Sequence, residues 1–196
     1  FIGDVRDAKR LHRAFEGVQC VIHAAAMKHV EASEFNPFEA VQTNVIGAQN
    51  VIEAALDCGV ERVLAISTDK AHDPCTLYGA TKLCAEKMFM AAGTYGGLKR
   101  TRFAVQRLGN IAFSRGSVIP KWKVLLKTQT WVPVSDPDCT RYWIRAERAA
   151  NYAIHALAAM KGGELLYPVM TAVRVGDQAE ALGVGIDDIG LRPGER

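Results

Sequence analysis

The sequence lacks the cysteine pattern of a zinc site or of a disulfide framework. Its five cysteines include no C-x-x-C pair, and an odd number cannot pair completely. His, Cys and carboxylate residues also form no cluster with metal-ligand spacing, so no metal is expected. Because reduced cysteines fit a reducing compartment, we expect a cytoplasmic protein.

Long apolar runs and a strong excess of one charge are missing as well. No run approaches the roughly 18 to 20 apolar residues that a membrane-spanning helix needs, so no membrane segment is predicted in this chain. The formal net charge is +3, and the basic residues are interspersed with acidic ones. This pattern argues against nucleic acid as a partner, whereas a mildly positive balance suits a phosphorylated small substrate.

The composition is that of a soluble globular chain. Of its 196 residues, 49% are hydrophobic and 23% are charged, as in ordinary globular proteins. A chain of this length can bury a sizeable core. The chain begins with Phe1 in a segment that resembles the end of a strand, and it stops at Arg196 without an obvious terminal element. We therefore expect that both ends of the protein lie outside this sequence.

Strand and helix patterns alternate along the first part of the chain. Apolar runs predict strands at 18–24, 62–67 and 101–108. Helices are predicted at 7–15 with Asp7 as the cap, from Pro37 to a stop at Gly59, and at 76–92. Strands that are apolar on both faces and separated by helices imply a parallel sheet covered on each face. We predict an α/β fold with a doubly wound, Rossmann-like core at 1–118, truncated at its N-terminus.

A different pattern follows Pro120. Short strands are predicted at 131–134 and 141–144, a helix at 146–160, a strand at 164–167 and a last helix near Val175. These elements predict a small α+β lobe at 119–196, mainly for substrate, truncated at its C-terminus. In doubly wound folds the ligand crevice lies outside the carboxyl ends of the strands, so the residues that follow each strand are the candidate site.

Tyr78 and Lys82 form a Y-x-x-x-K pair on one face of the predicted helix at 76–92. A phenol has an ordinary pKa near 10, and a nearby ammonium lowers that pKa by favouring the phenolate. The pair by itself is common by chance, but Ser67-Thr68-Asp69-Lys70 ends the preceding strand. A hydroxyl at that strand end can hold a substrate hydroxyl while tyrosine takes its proton. The structural alternative is a polar capping loop with a surface ion pair.

The segments Ser-Thr-Asp-Lys-Ala at 67–71 and Leu-Tyr-Gly-Ala-Thr-Lys at 77–82 closely resemble the extended short-chain dehydrogenase/reductases. Within them the chain is similar to the inverting UDP-N-acetylglucosamine 4,6-dehydratases of the pseudaminic acid pathway, a polysaccharide biosynthesis family. The resemblance covers nearly the full chain, through further segments at 3–7, 23–30, 43–44, 108–110, 115–120, 140–144 and 192–195.

The resemblance implies a tightly bound, recycled NAD(P). The implied cofactor-binding residues are Asp4 (at the adenine), Val5, His23, Ala24, Ala25, Ala26, Lys28, Asn44, Ser67, Tyr78, Lys82, Leu108 and Asn110. The G-x-x-G-x-x-G phosphate loop and the ribose-binding carboxylate would precede Phe1, so NAD and NADP are not distinguished, and this exact fragment could be inactive. For His23, packing after an apolar strand is the alternative.

The resemblance also implies a UDP-N-acetylhexosamine substrate and a homo-oligomer. The implied substrate-binding residues are Lys28, Asn110, Ser117, Arg141, Arg192 and Glu195. Arginine suits a diphosphate because its donors bind in a bidentate fashion. A solvated lysine and a surface ion pair remain the alternatives for Lys28 and Arg141.

Five catalytic residues are implied for an internal redox cycle. Tyr78 takes the proton of the sugar 4-hydroxyl, which Thr68 holds, while Lys82 binds the nicotinamide ribose and lowers the pKa of Tyr78. Lys70 removes the C5 proton of the resulting ketone, and Asp69 protonates the departing 6-hydroxyl before hydride returns to C6. The implied enzyme is a lyase that forms a 4-keto-6-deoxy sugar with inversion at C5.

Two alternative functions stay open. A UDP-sugar 4-epimerase would use the same Tyr78 and NAD, but it lacks a matching acid-base pair at Asp69 and Lys70. A non-catalytic NAD- or nucleotide-sugar-binding module is expected to have lost Tyr78 or Lys82. Within the family, dTDP-glucose dehydratases carry Asp-Glu at 69–70, and membrane-attached retaining relatives carry Met at the position of Tyr78, which favours the inverting group.

Overall fold

The computed structural model describes residues 1–95 and 101–191. The chain divides into two compact units, Phe1–Arg107 with Asn151–Pro168 and Leu108–Ala150 with Val169–Arg196. The first unit is thus discontinuous in sequence, and the division differs from a single boundary after residue 118. The assignment of cofactor and substrate to separate domains stays a prediction.

Eight helices and nine strands are formed by the described residues. The helices are α1 (Ala8–Phe15), α2 (Val30–Phe35), α3 (Pro37–Val41), α4 (Gly47–Asp57), α5 (Leu77–Tyr95), α6 (Val118–Leu125), α7 (Ala146–Ala159) and α8 (Val175–Ala181). The strands are β1 (Cys20–His23), β2 (Arg62–Thr68), β3 (Arg102–Leu108), β4 (Asn110–Ile111), β5 (Trp131–Val134), β6 (Thr140–Ile144), β7 (Leu165–Leu166), β8 (Thr171–Arg174) and β9 (Gly185–Asp188). None of the helices in these described ranges is long and apolar enough to cross a bilayer.

The sheet of the first unit has the strand order β1-β2-β3-β7, with β1 parallel to β2 and β3 parallel to β7. Alternate residues of its strands point to opposite faces. Val63 packs with Phe89 of α5 in one buried cluster, whereas the next residue, Leu64, packs with Ala153 of α7 in another. Because helices cover both faces, the predicted doubly wound α/β fold is confirmed.

Several element boundaries follow the sequence signals. Asp7 caps α1 by accepting a hydrogen bond from the Arg10 amide at 3.0 Å. Pro37 opens α3 as predicted. The single long helix expected after Pro37 is nevertheless wrong in detail, because a π-helical turn at Gln42–Ile46 separates α3 from α4. Such turns depend on tertiary packing and have no periodic signature.

The second unit is built from short elements. Its strands β4, β6 and β8 form one sheet and β5 pairs with β9 in another, around a core that includes Trp122 and Val132. Helix α6 was not predicted, since Pro120 lies within it. Proline is tolerated there because the amides of a helix's first turn have no partner within the helix. Helix α2 and strands β4, β8 and β9 were also missed; each is six residues or shorter.

Candidate active site

The carboxyl end of β2 brings three consecutive polar side chains together. The Thr68 hydroxyl accepts a hydrogen bond from the Lys70 amide at 3.3 Å and so caps the 3₁₀ turn Asp69–Ala71. The same hydroxyl lies 3.1 Å from Oδ1 of Asp69. The ammonium of Lys70 donates to that oxygen at 3.2 Å. Asp69 is therefore the common partner of a hydroxyl and a cation.

Helix α5 adds Tyr78 to this group. The Tyr78 side chain is buried. Burial raises the pKa of Tyr78 and the charge of Asp69 raises it further, whereas interaction with the nearby Thr68 side chain opposes both. Tyr78 thus lies near the group of contacts that joins Thr68, Asp69 and Lys70.

Lys82 lies four residues after Tyr78 and is also buried. Its ammonium donates to the carbonyl oxygen of Ile66 at 2.8 Å, and burial lowers its pKa to about 8. The lower Tyr78 pKa expected from the sequence is not found in this structure. Burial of the phenol is the largest effect on the pKa of Tyr78. The Lys82 ammonium is hydrogen-bonded to the backbone of β2.

His23 ends β1 and is buried against the ring of Phe89, with ring centroids 5.6 Å apart. Burial, and after it the charge of Lys82, lowers the pKa of His23 to about 4. The imidazole is therefore neutral at physiological pH. Its packed position agrees with the structural alternative given for it and leaves its cofactor role a prediction.

Asn44 fixes the segment that follows β1. Its Oδ1 accepts from the Met27 amide at 2.8 Å, and its Nδ2 donates to the Met27 carbonyl and to the Thr81 hydroxyl, both at 3.0 Å. Thr81 in turn donates to the Tyr78 carbonyl at 2.9 Å. Asn44 thereby attaches the segment after β1 to α5. Within that segment Ala24, Ala25 and Lys28 are exposed and Ala26 is half-buried.

Ser67 offers a test of whether these residues suit a bound dinucleotide. Its side chain is 7% exposed, and its Oγ has no hydrogen-bond partner among the described residues. Buried hydroxyls are nearly always paired in folded proteins, so this atom fits a partner supplied by a ligand. The small residues after β1, Ala24 to Ala26, also permit close approach of a cofactor. Ser67 and these alanines therefore fit a bound dinucleotide.

Asp4 and Val5 precede α1. Asp4 accepts a forked pair of bonds from Arg6, at 3.0 and 2.8 Å, which holds the pKa of its carboxyl at about 2. Val5 is half-buried, and its carbonyl accepts from Asn50 at 2.9 Å. The role of Asp4 at an adenine stays a prediction.

The remaining predicted residues lie in the second unit or outside the described ranges. Leu108 ends β3, Asn110 opens β4 opposite Trp143 of β6, and Arg141 donates to the Thr140 carbonyl at 2.9 Å. Ser117 precedes α6, and its Oγ is buried without a hydrogen-bond partner in the described part of the chain. Arg192 and Glu195 lie outside the described residues. The substrate roles of all these residues stay predictions.

One buried ion pair was missed by the sequence analysis. Glu86 of α5 and Arg107 of β3 meet at 2.6 Å in the first unit. A signal was present in the sequence: each is a charged residue on a strongly apolar element, and Glu86 follows Lys82 by one helical turn. Neither the partner nor the burial could be read from that signal.

Comparison with known proteins places the chain in a family. The family model described as "Polysaccharide biosynthesis protein" matches residues 1–196. The chain belongs to this family, as the sequence motifs predicted.

Two curated relatives and one solved structure are similar over most of the chain. The inverting UDP-N-acetylglucosamine 4,6-dehydratase of Campylobacter jejuni subsp. jejuni serotype O:2 is 46% identical over 100% of this chain and 60% of its own length. A UDP-glucose 4-epimerase of Rickettsia canadensis is 36% identical over 93% of this chain and 53% of its own length. The X-ray structure of Pen from Bacillus thuringiensis has a TM-score of 0.95 at 39% identity, covering 100% of this chain and 64% of that one. The chain thus spans 53 to 60% of the length of these curated relatives.

Proposed function

We propose that the protein containing this chain is an NAD(P)-dependent UDP-N-acetylglucosamine 4,6-dehydratase that inverts C5. The carrying observation is the contact between Lys70 and Asp69, which Thr68 connects to Tyr78. The site therefore combines a group for oxidation at C4 with an acid and a base for elimination of water. The likeness to the Campylobacter dehydratase supports the same activity.

The cofactor-binding side of the site is assigned to residues at the carboxyl ends of β1 and β2. Ser67, with its buried and unpartnered hydroxyl, and the short side chains of Ala24, Ala25 and Ala26 would hold NAD(P), with Lys82 on α5. NAD(P) supplies, when bound, a hydride acceptor for C4 and a hydride donor for C6. Doubly wound sheets bind dinucleotides at this edge.

Oxidation at C4 requires Tyr78 to accept a proton. The 4-hydroxyl proton passes to the phenolate oxygen of Tyr78 as hydride leaves C4, and Thr68 holds the same hydroxyl. Because burial raises the pKa of Tyr78, the phenolate needs a cation nearby. Lys82 is charged below its pKa of about 8, and its ammonium is the group that can favour the phenolate.

Elimination requires Lys70 as the neutral amine and Asp69 as the carboxylic acid. An ammonium beside a carboxylate contains the same number of protons as an amine beside a carboxylic acid. One proton moved across the 3.2 Å contact therefore converts the observed ion pair into the reactive form. Lys70 then takes the C5 proton, the C5–C6 double bond forms, and the 6-hydroxyl leaves as water with the Asp69 proton. Hydride returns to C6, and C5 receives a proton on the opposite face.

A UDP-sugar 4-epimerase is the second candidate, and the Rickettsia relative favours it. Epimerisation needs Tyr78 and the cofactor but no acid-base pair at C5 and C6. The position of Asp69 and Lys70 beside Thr68 favours the dehydratase. A non-catalytic binding module is disfavoured because Tyr78 and Lys82 are both present and buried together in the first unit.

The deciding experiment incubates the full-length protein with UDP-N-acetylglucosamine in deuterated water and follows the product by NMR. A 4-keto-6-deoxy sugar that carries deuterium at an inverted C5 supports the proposal. A product changed only at C4 establishes the epimerase instead, and an unchanged sugar contradicts both.

Replacement of Lys70 by Ala tests the assigned base. Lys70→Ala is expected to reduce elimination by about 10² to 10⁴, measured as the rate of 4-keto-6-deoxy sugar formation. Lys9→Ala is the matched control, because Lys9 is an exposed lysine of α1 in the first unit and is assigned no role in binding or catalysis. Full turnover by Lys70→Ala contradicts the assignment of the base.

The proposal extends to the setting of the enzyme. The inverted product fits the pseudaminic acid pathway, and the absence of a C-x-x-C pair suits the cytoplasm. We assign the nucleotide and sugar to Lys28, Asn110, Ser117 and Arg141, together with Arg192 and Glu195. A homo-oligomer is expected, and light scattering of the full-length protein measures it.

A further inference from the structure

The ion pair between Glu86 and Arg107 is a forked contact inside the first unit. Nε of Arg107 donates to Oε1 of Glu86 at 2.8 Å, and Nη2 donates to Oε2 at 2.6 Å. The side chains are 9% and 2% exposed. Two parallel bonds fix the plane of the guanidinium, and burial makes loss of either partner strongly unfavourable. Arg107 therefore holds one orientation.

The other contacts of Arg107 include one to the Asp69–Ala71 turn and one to Tyr167. Its Nη2 also donates to the carbonyl oxygen of Ala71 at 3.3 Å, and its Nη1 donates to the Tyr167 hydroxyl at 3.1 Å. Ala71 is the last residue of the turn that begins with Asp69, and it is fully buried. The guanidinium thus connects this turn to β3 and, through Glu86, to α5.

Glu86 lies on the same helix as the two residues assigned to oxidation at C4. It follows Lys82 by four residues and Tyr78 by eight, so one rigid helix fixes all three. The Asp69–Ala71 turn lies outside α5 and packs against it at Gly79, beside the carbonyl oxygen of Lys70. Its position relative to Tyr78 therefore depends on contacts between segments, and Arg107 supplies one of them through the Ala71 carbonyl.

We propose that Arg107, oriented by Glu86, is a positioning residue that sets the Asp69–Lys70 turn for the elimination step, an inference that rests on the proposed function. Tyr78 and Lys82 keep their places without Arg107 because α5 carries them. Asp69 and Lys70 lie outside α5 and lose a positioning contact when Arg107 is replaced. A misplacement of about 1 Å can reduce a rate by about 10²-fold. Elimination is therefore the step that Arg107 controls.

The test uses Arg107→Lys in the full-length protein. Lysine keeps a positive charge for Glu86 but cannot form the planar fork that also reaches Ala71. In single turnovers with UDP-N-acetylglucosamine, absorbance at 340 nm follows hydride loss from C4, and NMR follows the 4-keto-6-deoxy product. We expect an unchanged first step and a second step slowed by about ten- to a hundredfold. Amide exchange at His72, which donates to the Asp69 carbonyl at 3.0 Å, is expected to accelerate.

Arg62→Lys is the matched control. Arg62 is likewise a strand arginine of the first unit that donates to backbone carbonyls, here of Leu157 and Ala158. It opens β2, at the end opposite Thr68. The ratio of the two steps and the exchange at His72 are expected to stay at their wild-type values in this variant.

Tyr167→Phe is the second variant if Arg107→Lys does not fold. It removes one contact that orients the guanidinium and leaves the ion pair intact, so it is expected to slow elimination in the same direction by a smaller factor. Equal slowing of both steps, or unchanged steps with unchanged exchange at His72, overturns the inference. If the wild-type protein forms no 4-keto-6-deoxy sugar, the proposed function fails, whereas exchange at His72 still decides whether Arg107 holds the turn.

Discussion

Acid is expected to destabilise this protein through His23. The imidazole lies in the core beside Phe89, and burial lowers its pKa from 6.5 to about 4. In the unfolded chain the ring is free to bind a proton near pH 6.5. Because the folded-state pKa is the lower one, the stabilising contribution is complete above pH 6.5 and is lost as the pH falls towards 4.

The magnitude follows from the size of the shift. A fall from 6.5 to about 4 corresponds to about 3 kcal/mol of unfolding free energy when the loss is complete, at roughly 1.4 kcal/mol for each pKa unit. By the same relation, about 2 kcal/mol of it is lost between pH 7 and pH 5. Such a loss is a large fraction of the stability of an ordinary domain.

The assay compares urea unfolding of the wild-type protein and His23→Asn at pH 7 and pH 5. Asparagine does not titrate in this range. Between pH 7 and pH 5 the variant is therefore expected to lose about 2 kcal/mol less unfolding free energy than the wild type. His12→Asn is the control. His12 is half-buried, and its hydrogen bond to the Ala8 carbonyl raises its pKa. Its contribution to stability is therefore present below pH 6.5 and is lost as the pH rises. An equal pH dependence of wild type and His23→Asn would refute the reasoning.

Two further substitutions test the framework of the site. A Cβ at Gly79 would lie far inside van der Waals distance of the Lys70 carbonyl oxygen. Gly79→Ala is therefore expected to displace the Asp69–Ala71 turn and to lower the free energy of unfolding by about 1–3 kcal/mol. Thermal unfolding measures this loss, and an unchanged melting temperature contradicts the close approach. Asn44→Leu removes the partner of the Met27 amide and of the Met27 carbonyl, and it removes one of the two partners of the Thr81 hydroxyl. Each unsatisfied buried group costs about 1–3 kcal/mol, so urea unfolding is expected to show a loss of at least about 2 kcal/mol in the free energy of unfolding. Gln49→Leu, at an exposed site, is the control. An equal loss in both variants argues against the hydrogen bonds assigned to Asn44.

The alternation of elements and the motifs of the candidate site could be read from the sequence because both are local. Strand β5 was predicted with its observed bounds, and α7 within one residue, because apolar periodicity over a few residues specifies the element. Thr68, Asp69 and Lys70 are adjacent in sequence, and Tyr78 and Lys82 are one helical turn apart. Their proximity within each segment needed no knowledge of the fold.

Shorter elements escaped prediction because their sequences carry too few periods. The π-helical turn at Gln42–Ile46 holds Asn44 where its amide reaches Met27 and Thr81, seventeen and thirty-seven residues away. Strand β4 has two residues and pairs with β6. Such features form when a neighbouring segment provides hydrogen bonds or packing, so local propensity does not specify them.

The sequence by itself determined the α/β class and the family, and it supplied the residues proposed to carry the chemistry. Only the tertiary structure decided their electrostatics and their fixed positions. The pKa of Tyr78 is raised and not lowered because packing buries the phenol while Lys82 bonds to the Ile66 carbonyl. Arg107 meets Glu86 across twenty-one residues of chain. Burial and charge pairing depend on which distant segments pack together, and no local pattern contains that information.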